Sequence, residues 1–192
     1  MEQIKEMTAQ ESLKLISETL NNSRRDILRN NAKYYVLWGC LLTAFSLLVY
    51  FLWHSTGRAV WNFLWFVMPV VGFPIAALLH KKDIAVPQSF VGSLTGKVWC
   101  VFAAFSLSLS AVAVALVPIP MTLVIVILLG MAESITGVIL KNWPIIIGGF
   151  LLGVGGAIAA MYLQYTEAQM LLFTIGGVIL AVTGLVVKLQ NK

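Results

Sequence analysis

Long apolar runs separated by short polar segments set the pattern of the chain. The runs cover roughly 34–53, 60–79, 98–117, 121–140, 143–163 and 169–187. Each run has about the 20 residues that a helix needs to cross the apolar core of a bilayer. Polar and apolar residues do not alternate within the runs, as they do in transmembrane strands. The pattern therefore predicts an all-α membrane protein with six transmembrane helices.

The polar segments divide the chain into three parts. Residues 1–33 form a polar, basic tail, 34–188 a six-helix transmembrane domain, and 189–192 the C-terminus. Within the transmembrane domain, the spans divide into three hairpins, which cover 34–79, 98–140 and 143–187. At the start of each hairpin stands a lysine that an aromatic residue follows within two positions: Lys33-Tyr34-Tyr35, Lys97-Val98-Trp99 and Lys141-Asn142-Trp143. The predicted architecture is a six-helix bundle of three hairpins, preceded by a short cytoplasmic amphipathic helix.

Composition supports this prediction and excludes other classes of protein. Of all residues, 59% are hydrophobic and only 11% are charged, whereas soluble domains have about 45–50% apolar and about 25% charged residues. A surplus of this size cannot be buried in one small core, so lipid must solvate much of the chain. A soluble enzyme and a disordered tail are excluded. The net charge of +5 does not indicate nucleic acid, because the basic residues mark one membrane face.

The basic residues also predict the orientation. Lysine and arginine tend to stay on the cytoplasmic side of a membrane. With six spans, all 13 of them except Arg58 fall in the tail, the second and fourth loops and the C-terminus, which share one side. Both termini are therefore expected in the cytoplasm.

Two of the spans contain a matching set of residues. Gly130, Thr136, Gly137 and Lys141 recur 47 positions later as Gly177, Thr183, Gly184 and Lys188. Membrane proteins are often built from internal repeats. The match indicates either a divergent repeat or a coincidence between two glycine-rich and valine-rich helices.

The tail carries the signals of an amphipathic helix. Thr8 and Glu11 fit a capping box, in which each side chain satisfies a free backbone N–H group. After it, Leu13, Ile16 and Leu20 recur on one face, and 21–23 (Asn-Asn-Ser) should weaken the helix. Two interpretations are open: the segment lies on the membrane or docks on the protein itself, or it recruits an unknown partner or a second copy of the chain.

A basic patch follows in the same tail. It consists of Arg24, Arg25, Arg29 and Lys33. Clusters of this kind beside a membrane span attract anionic lipid headgroups. The patch is therefore a candidate lipid-binding site on the cytoplasmic face of the bilayer.

One acidic residue, Glu133, falls inside a predicted span. A carboxylate at this depth is costly and often functional. Ser106 and Thr43 lie at a similar depth on other spans, and Thr136 lies one turn away, so these three complete a candidate intramembrane polar site. Either a neutral Glu133 hydrogen-bonds these groups or a backbone carbonyl and locks the bundle, or it faces a wet cavity and handles a cation or proton.

Other motifs concern packing and chemistry. Gly149 and Gly153 form a GxxxG pair, which lets helix backbones approach closely, either within one bundle or between two copies. The sequence has no His–Glu metal motif and no Gly-x-Ser-x-Gly elbow. We therefore expect neither an enzyme nor a bound metal or cofactor.

The start of the chain resembles a family of small bacterial integral membrane proteins of the Bacteroides type. The resemblance rests on 11–16 (Glu-Ser-Leu-Lys-Leu-Ile) and on Leu37, Trp38 and Gly39 at the start of the first span. It implies a helical bundle in a bacterial inner membrane and brings no known activity. The layout of three hairpins is also similar to that of the six-span acid-stress proteins of the HdeD type.

Two functions are expected from these features. The first is a non-enzymatic inner-membrane protein with a structural, stress-related or partner-regulating role. The second is a small channel or proton-linked transporter that uses the carboxyl of Glu133.

Overall fold

A computed structural model describes residues 8–80, 90–116, 119–163 and 167–190 of the protein. The helices are α1 (Ala9–Thr56), α2 (Leu64–His80), α3 (Phe90–Ala115), α4 (Met121–Leu140), α5 (Trp143–Phe150), α6 (Gly156–Tyr162) and α7 (Gln169–Gln190). A short 3₁₀ segment, Ala59–Phe63, leads into α2, and a π-helical segment, Leu151–Gly155, joins α5 to α6. The described residues contain six helical stretches long and apolar enough to cross a membrane, which confirms the predicted class of fold.

Helix α1 is much longer than its predicted span. It has 48 residues, which corresponds to a length of about 70 Å. The expected weak point at Asn21, Asn22 and Ser23 is absent, because the helix continues through it. Packing accounts for this difference: Leu20 and Ile27 contact the bundle, and Leu28 is buried. These contacts outweigh the small differences in helix propensity between polar residues, which are below about 0.7 kcal/mol each.

Both ends of α1 have side-chain or backbone caps. The capping box is confirmed: the Glu11 backbone N–H donates to Thr8 Oγ1 at 3.3 Å, and the Thr8 backbone N–H donates to Glu11 Oε2 at 2.9 Å. At the other end, Gly57 has the left-handed conformation (φ 65°) that lets its N–H donate to the carbonyl of Trp53. The sequence signals for where α1 begins and ends are therefore local ones.

The basic residues of α1 contact the ends of two other helices. Lys33 Nζ donates to the carbonyl of Leu79 near the end of α2 (3.3 Å), and Arg24 Nε donates to the carbonyl of Ile139 near the end of α4 (3.1 Å). The last carbonyls of a helix lack partners within it and carry partial negative charge, so cations stabilise them. We call this end of the bundle the basic end. At the opposite end, His54 Nδ1 lies 3.1 Å from Glu167 Oε1, just before α7.

Helices α4 and α5 approach each other backbone to backbone. A Cβ atom placed on Gly149 would lie 2.7 Å from the carbonyl oxygen of Gly130 and would overlap Ser134. A Cβ atom on Gly130 would overlap the backbone of Gly153. No residue larger than glycine fits these positions without movement. The predicted GxxxG pair, Gly149 and Gly153, thus packs within the bundle.

Helices α7 and α1 repeat the same contact. A Cβ atom on Gly39 would lie 2.6 Å from the carbonyl oxygen of Gly177 and 2.5 Å from the backbone nitrogen of Ala181. Gly177 and Ala181 stand 47 positions after Gly130 and Ser134, and Gly39 stands 110 positions before Gly149. Equivalent residues therefore make equivalent contacts in the pairs α4–α5 and α7–α1.

The buried residues of α4 and α7 are related by the same offset of 47 positions. Seven of the nine buried residues of α4 have a buried counterpart 47 positions later in α7. Furthermore, Thr122 Oγ1 donates to Oε1 of its counterpart Gln169 at 2.7 Å, so the two helices meet at matching positions. The structure thus favours the repeat over coincidence. The two helix pairs are arranged in parallel, because α4 and α7 both end at the basic end.

This packing differs from the predicted division into three hairpins. The pair α7–α1 joins the last predicted hairpin to the first, and α4–α5 joins the second to the third. The hairpins are therefore not confirmed as packing units. That prediction was based on the order of the spans and on the similar start of each odd one, which describe the connection between helices and not the extent of their contact.

The glycine contacts lead to a first prediction. Gly130→Ala and Gly39→Ala should each destabilise the protein by about 1–3 kcal/mol, since the added methyl group overpacks a backbone contact. Gly96→Ala, in α3, is the matched control, because a Cβ atom there meets nothing within 4 Å. Unfolding of purified protein in mixed detergent measures the three effects. Equal stability of all three variants would contradict the close packing.

A second prediction concerns the contact between Arg24 and the end of α4. Arg24→Gln removes the donor to Ile139, and we expect a loss of about 0.5–1 kcal/mol, typical of a partly exposed cation at a helix C-terminus. Arg25→Gln changes an exposed neighbour and should leave stability nearly unchanged. The same unfolding assay distinguishes them. The contact has no role in stability if Arg25→Gln costs as much as Arg24→Gln.

Candidate functional site

Glu133 lies in the interior of the bundle. Its exposed fraction is 0%, and neither carboxyl oxygen has a hydrogen-bond partner among the described residues. Its helix α4 turns this face inward, because Gly130 and Gly137, three residues before and four after it, contact α5. A carboxyl held in such surroundings is far more stable uncharged than charged unless a cation accompanies it. Among the described residues, Glu133 is thus an acidic side chain that is fully buried without a hydrogen-bond partner.

Gly148 of α5 packs closely against this carboxyl. A Cβ atom at Gly148 would lie 3.0 Å from Glu133 Oε1 and 2.7 Å from Thr183 Oγ1 of α7. A single point beside the glycine thus borders an oxygen from each of two helices. Any larger residue at this position would press against both.

Tyr35 of α1 and Thr136 of α4 complete the surroundings. The Tyr35 side chain is 8% exposed, and its hydroxyl has no hydrogen-bond partner among the described residues. It lies beside Thr136 and within electrostatic range of Glu133. The Thr136 hydroxyl donates to the carbonyl of Ala132 at 2.8 Å. We call Glu133, Tyr35, Thr136, Gly148 and Thr183 the polar core.

The polar core lies where the two helix pairs meet. Thr136 and Thr183 are counterparts in the repeat, and both are buried. Glu133 breaks the repeat, because the residue 47 positions later is Leu180. The acid is thus present in α4 and absent from the equivalent position of α7.

Thr43 and Ser106, the two other residues of the expected intramembrane site, form no hydrogen bond with Glu133. Thr43 Oγ1 donates to the carbonyl of Gly39 at 2.8 Å and contacts α7 at Gly177. The Ser106 hydroxyl is buried and lacks a partner among the described residues; its spacing places it on the face of α3 that carries Trp99 and Phe102. The expected hydrogen bonds from Glu133 to Ser106 and Thr43 are therefore not formed.

Sequence reasoning missed three residues of the polar core. Thr183 was accessible through the offset of 47, since its counterpart Thr136 was already a candidate. Tyr35 and Gly148 gave no such signal. The depth of Glu133 in the membrane does not indicate which residues of the neighbouring helices lie next to it. Their inclusion depends on the packing of α1 and α5.

The predicted lipid patch divides into two groups. Arg24 and Lys33 contact carbonyls at the ends of α4 and α2. Arg25 and Arg29 are exposed. Arg24 and Lys33 therefore make contacts within the protein, and the exposed Arg25 and Arg29 are the candidates for binding lipid headgroups.

The first turns of α1 form a second candidate site. Leu13 is 67% exposed and Ile16 is 56% exposed, whereas Leu20, on the same face, packs against the bundle. The stripe that begins at Leu13 therefore runs from solvent into the core. We call Leu13 and Ile16 the exposed stripe.

The described residues hold no group of three or more His, Cys, Asp or Glu side chains placed to bind a metal ion. An open depression lies between Thr56 and Val67, lined by Arg58, Trp61 and Leu64 among others. This depression lies at the end of the bundle opposite the basic end. It is thus separate from the polar core and from the exposed stripe.

Comparisons with protein-family models, with curated proteins and with solved structures each find no match. The class that the fold defines is an all-helical protein with six helices able to cross a membrane.

A third prediction concerns the stability of the polar core. Glu133→Leu introduces the residue of its repeat counterpart and removes a buried polar group without partners, which costs about 1–3 kcal/mol. We expect this variant to be more stable than the native protein, as measured by unfolding in mixed detergent. Glu133→Gln keeps the size and polarity, and should fold with little change. A marked loss of stability in Glu133→Leu would mean that the carboxyl makes stabilising bonds.

Proposed function

We propose that the protein is a non-enzymatic membrane protein that holds or regulates a cytoplasmic partner through the exposed stripe of α1. The observation that carries this proposal is the continuity of α1. One uninterrupted helix contains the exposed Leu13 and Ile16 and also the buried core residues Leu42 and Val49. A force or displacement at the stripe is therefore transmitted directly into the bundle.

The length of α1 favours a partner over the membrane surface. The helix is about 70 Å long, more than twice the thickness of a bilayer core. An uninterrupted helix cannot cross the bilayer and also lie flat on it. Its first turns consequently extend away from the lipid, where an apolar stripe suits a groove or helix of another protein.

The proposed setting is a bacterial inner membrane with both termini in the cytoplasm. The distribution of lysine and arginine supports this orientation. The resemblance of residues 11–16 and 37–39 to the Bacteroides-type family supports the assignment to a bacterial inner membrane. In this setting the exposed Arg25 and Arg29 face the cytoplasmic headgroups.

A second candidate function is that of a small channel or proton-linked transporter. One observation favours it: the unpartnered carboxyl of Glu133 lies between two parallel repeats, where transporters commonly place their binding sites. This candidate requires that the polar core binds a cation.

A fourth prediction tests the exposed stripe in living cells. A photo-crosslinking amino acid at Leu13 or Ile16 should form an adduct with a discrete cytoplasmic protein, identified by mass spectrometry. The same amino acid at Glu18, on the opposite face of the helix, should not. Adducts only with lipid, or only with a second copy of this chain, would contradict the proposal.

A substitution series provides the matched control. Leu13→Asp should reduce binding of the identified partner to reconstituted vesicles at least tenfold. Leu15→Asp makes the same chemical change at a residue that is also exposed (54%) but lies on the opposite face. It should bind nearly as well as the native protein. Equal losses in the two variants would mean that the stripe is not the binding surface.

A further inference from the structure

We propose that the polar core binds one monovalent cation, with Glu133 as its charged ligand. This inference goes beyond the partner-holding function and is independent of it. The shared chemistry is a single positive charge held by oxygen atoms, which either a proton or a sodium ion supplies.

The carboxyl of Glu133 is buried without a hydrogen-bond partner among the described residues. Buried polar atoms without partners are rare in proteins, and an unseen ion or water is one of their recognised causes. The Tyr35 hydroxyl nearby is also buried without a partner. Two unsatisfied oxygen groups therefore share one region of the core.

Two oxygen atoms from different helices approach Gly148 closely. The absence of a side chain there leaves Glu133 Oε1 and Thr183 Oγ1 bordering the same point, at 3.0 and 2.7 Å. Carboxylate and hydroxyl oxygens are the ligands that hard cations prefer. Glycine at this position thus lets a carboxyl oxygen of α4 and a hydroxyl oxygen of α7 both approach the same point of α5.

No positive charge balances Glu133 within the polar core. Tyr35 from α1, Thr136 from α4 itself and Thr183 from α7 are uncharged side chains, and α5 contributes Gly148. The lysine of α3, Lys97, and that of α7, Lys188, are exposed. One carboxylate balances one positive charge, whereas a divalent ion would leave an excess charge buried, which is costly.

The placement of the ligands predicts a consequence for the fold. Glu133 and Gly148 belong to the pair α4–α5, whereas Thr183 and Tyr35 belong to the pair α7–α1. A cation bound between them links the two halves of the repeat. A ligand that binds only the folded state stabilises it in proportion to the logarithm of its concentration.

A fifth prediction tests the site by thermal unfolding of the purified protein in detergent. Sodium, potassium and choline chloride are compared at equal ionic strength and at several pH values. For a sodium site, the Tm of the native protein rises with sodium but not with choline. For a proton site, the Tm is insensitive to the salt cation, and the difference in Tm between native protein and Glu133→Gln changes with pH.

The comparison with Glu133→Gln removes other pH effects. Hydrogen bonds from Thr8 lower the pKa of Glu11, and the hydrogen bond with His54 lowers the pKa of Glu167. The stability that these two groups contribute is present at neutral pH and is lost as the pH falls through their lowered pKa values. Both groups remain in the variant, so their effects cancel in the difference.

Two further measurements keep the test decisive. Gly148→Ala should weaken the cation response at least tenfold, whereas Gly96→Ala, in open space, should not. A lipid-soluble carbodiimide, which reacts with protonated carboxyls, should label Glu133 less as pH rises, and sodium should protect it if sodium is the ligand. If neither the Tm nor the labelling differs with cation or pH between the native protein and Glu133→Gln, the proposal is overturned.

Discussion

The structure depends on two places where helix backbones touch without side chains between them. In lipid, apolar side chains gain little by leaving their solvent, so helices associate through close packing and polar contacts. Glycine provides that packing at Gly130 and Gly149 in one pair of helices, and at Gly39 and Gly177 in the other. The same solution occurs twice because the two pairs are related by an internal repeat. Helices α1 and α7, which are far apart in the sequence, form one of these pairs, so this contact forms only when both helices have been inserted.

The carboxyl of Glu133 lies between these two helix pairs and has no counterpart in the second pair. The repeat supplies a threonine from each half, but only α4 adds an acid, and the equivalent position in α7 is Leu180. A purely structural core would be served by leucine at both positions. The acid makes no hydrogen bond with the described residues, and burying a polar group without a partner is unfavourable. Cation binding offers a reason for its presence, and α1, which carries Tyr35, connects that region with the exposed stripe.

Much of the fold followed from the sequence because its signals are local. Apolar run length predicts six spans, and Thr8 with Glu11 predicts the start of α1. Contacts distant in sequence were harder to predict. No short sequence pattern indicates that α7 packs on α1. Nor does one indicate that Arg24 and Lys33 contact the ends of helices and not lipid headgroups. The candidate site was found in part for the same reason: Glu133 is visible as the one acid in a span, whereas Tyr35 and Gly148 become neighbours only through packing.

The packing of α7 on α1 is the central claim, and one crosslink tests it most directly. Ser46 Oγ and Thr174 Oγ1 lie 2.9 Å apart, so cysteines at both positions, with Cys40 and Cys100 replaced by alanine, should form an intramolecular disulfide under mild oxidation. Pairing Ser46→Cys with Ile175→Cys is the control, since Ile175 is 57% exposed and points away. Rapid crosslinking of the first pair alone is the predicted result. Failure of that pair, or equal crosslinking of the control, would contradict the account.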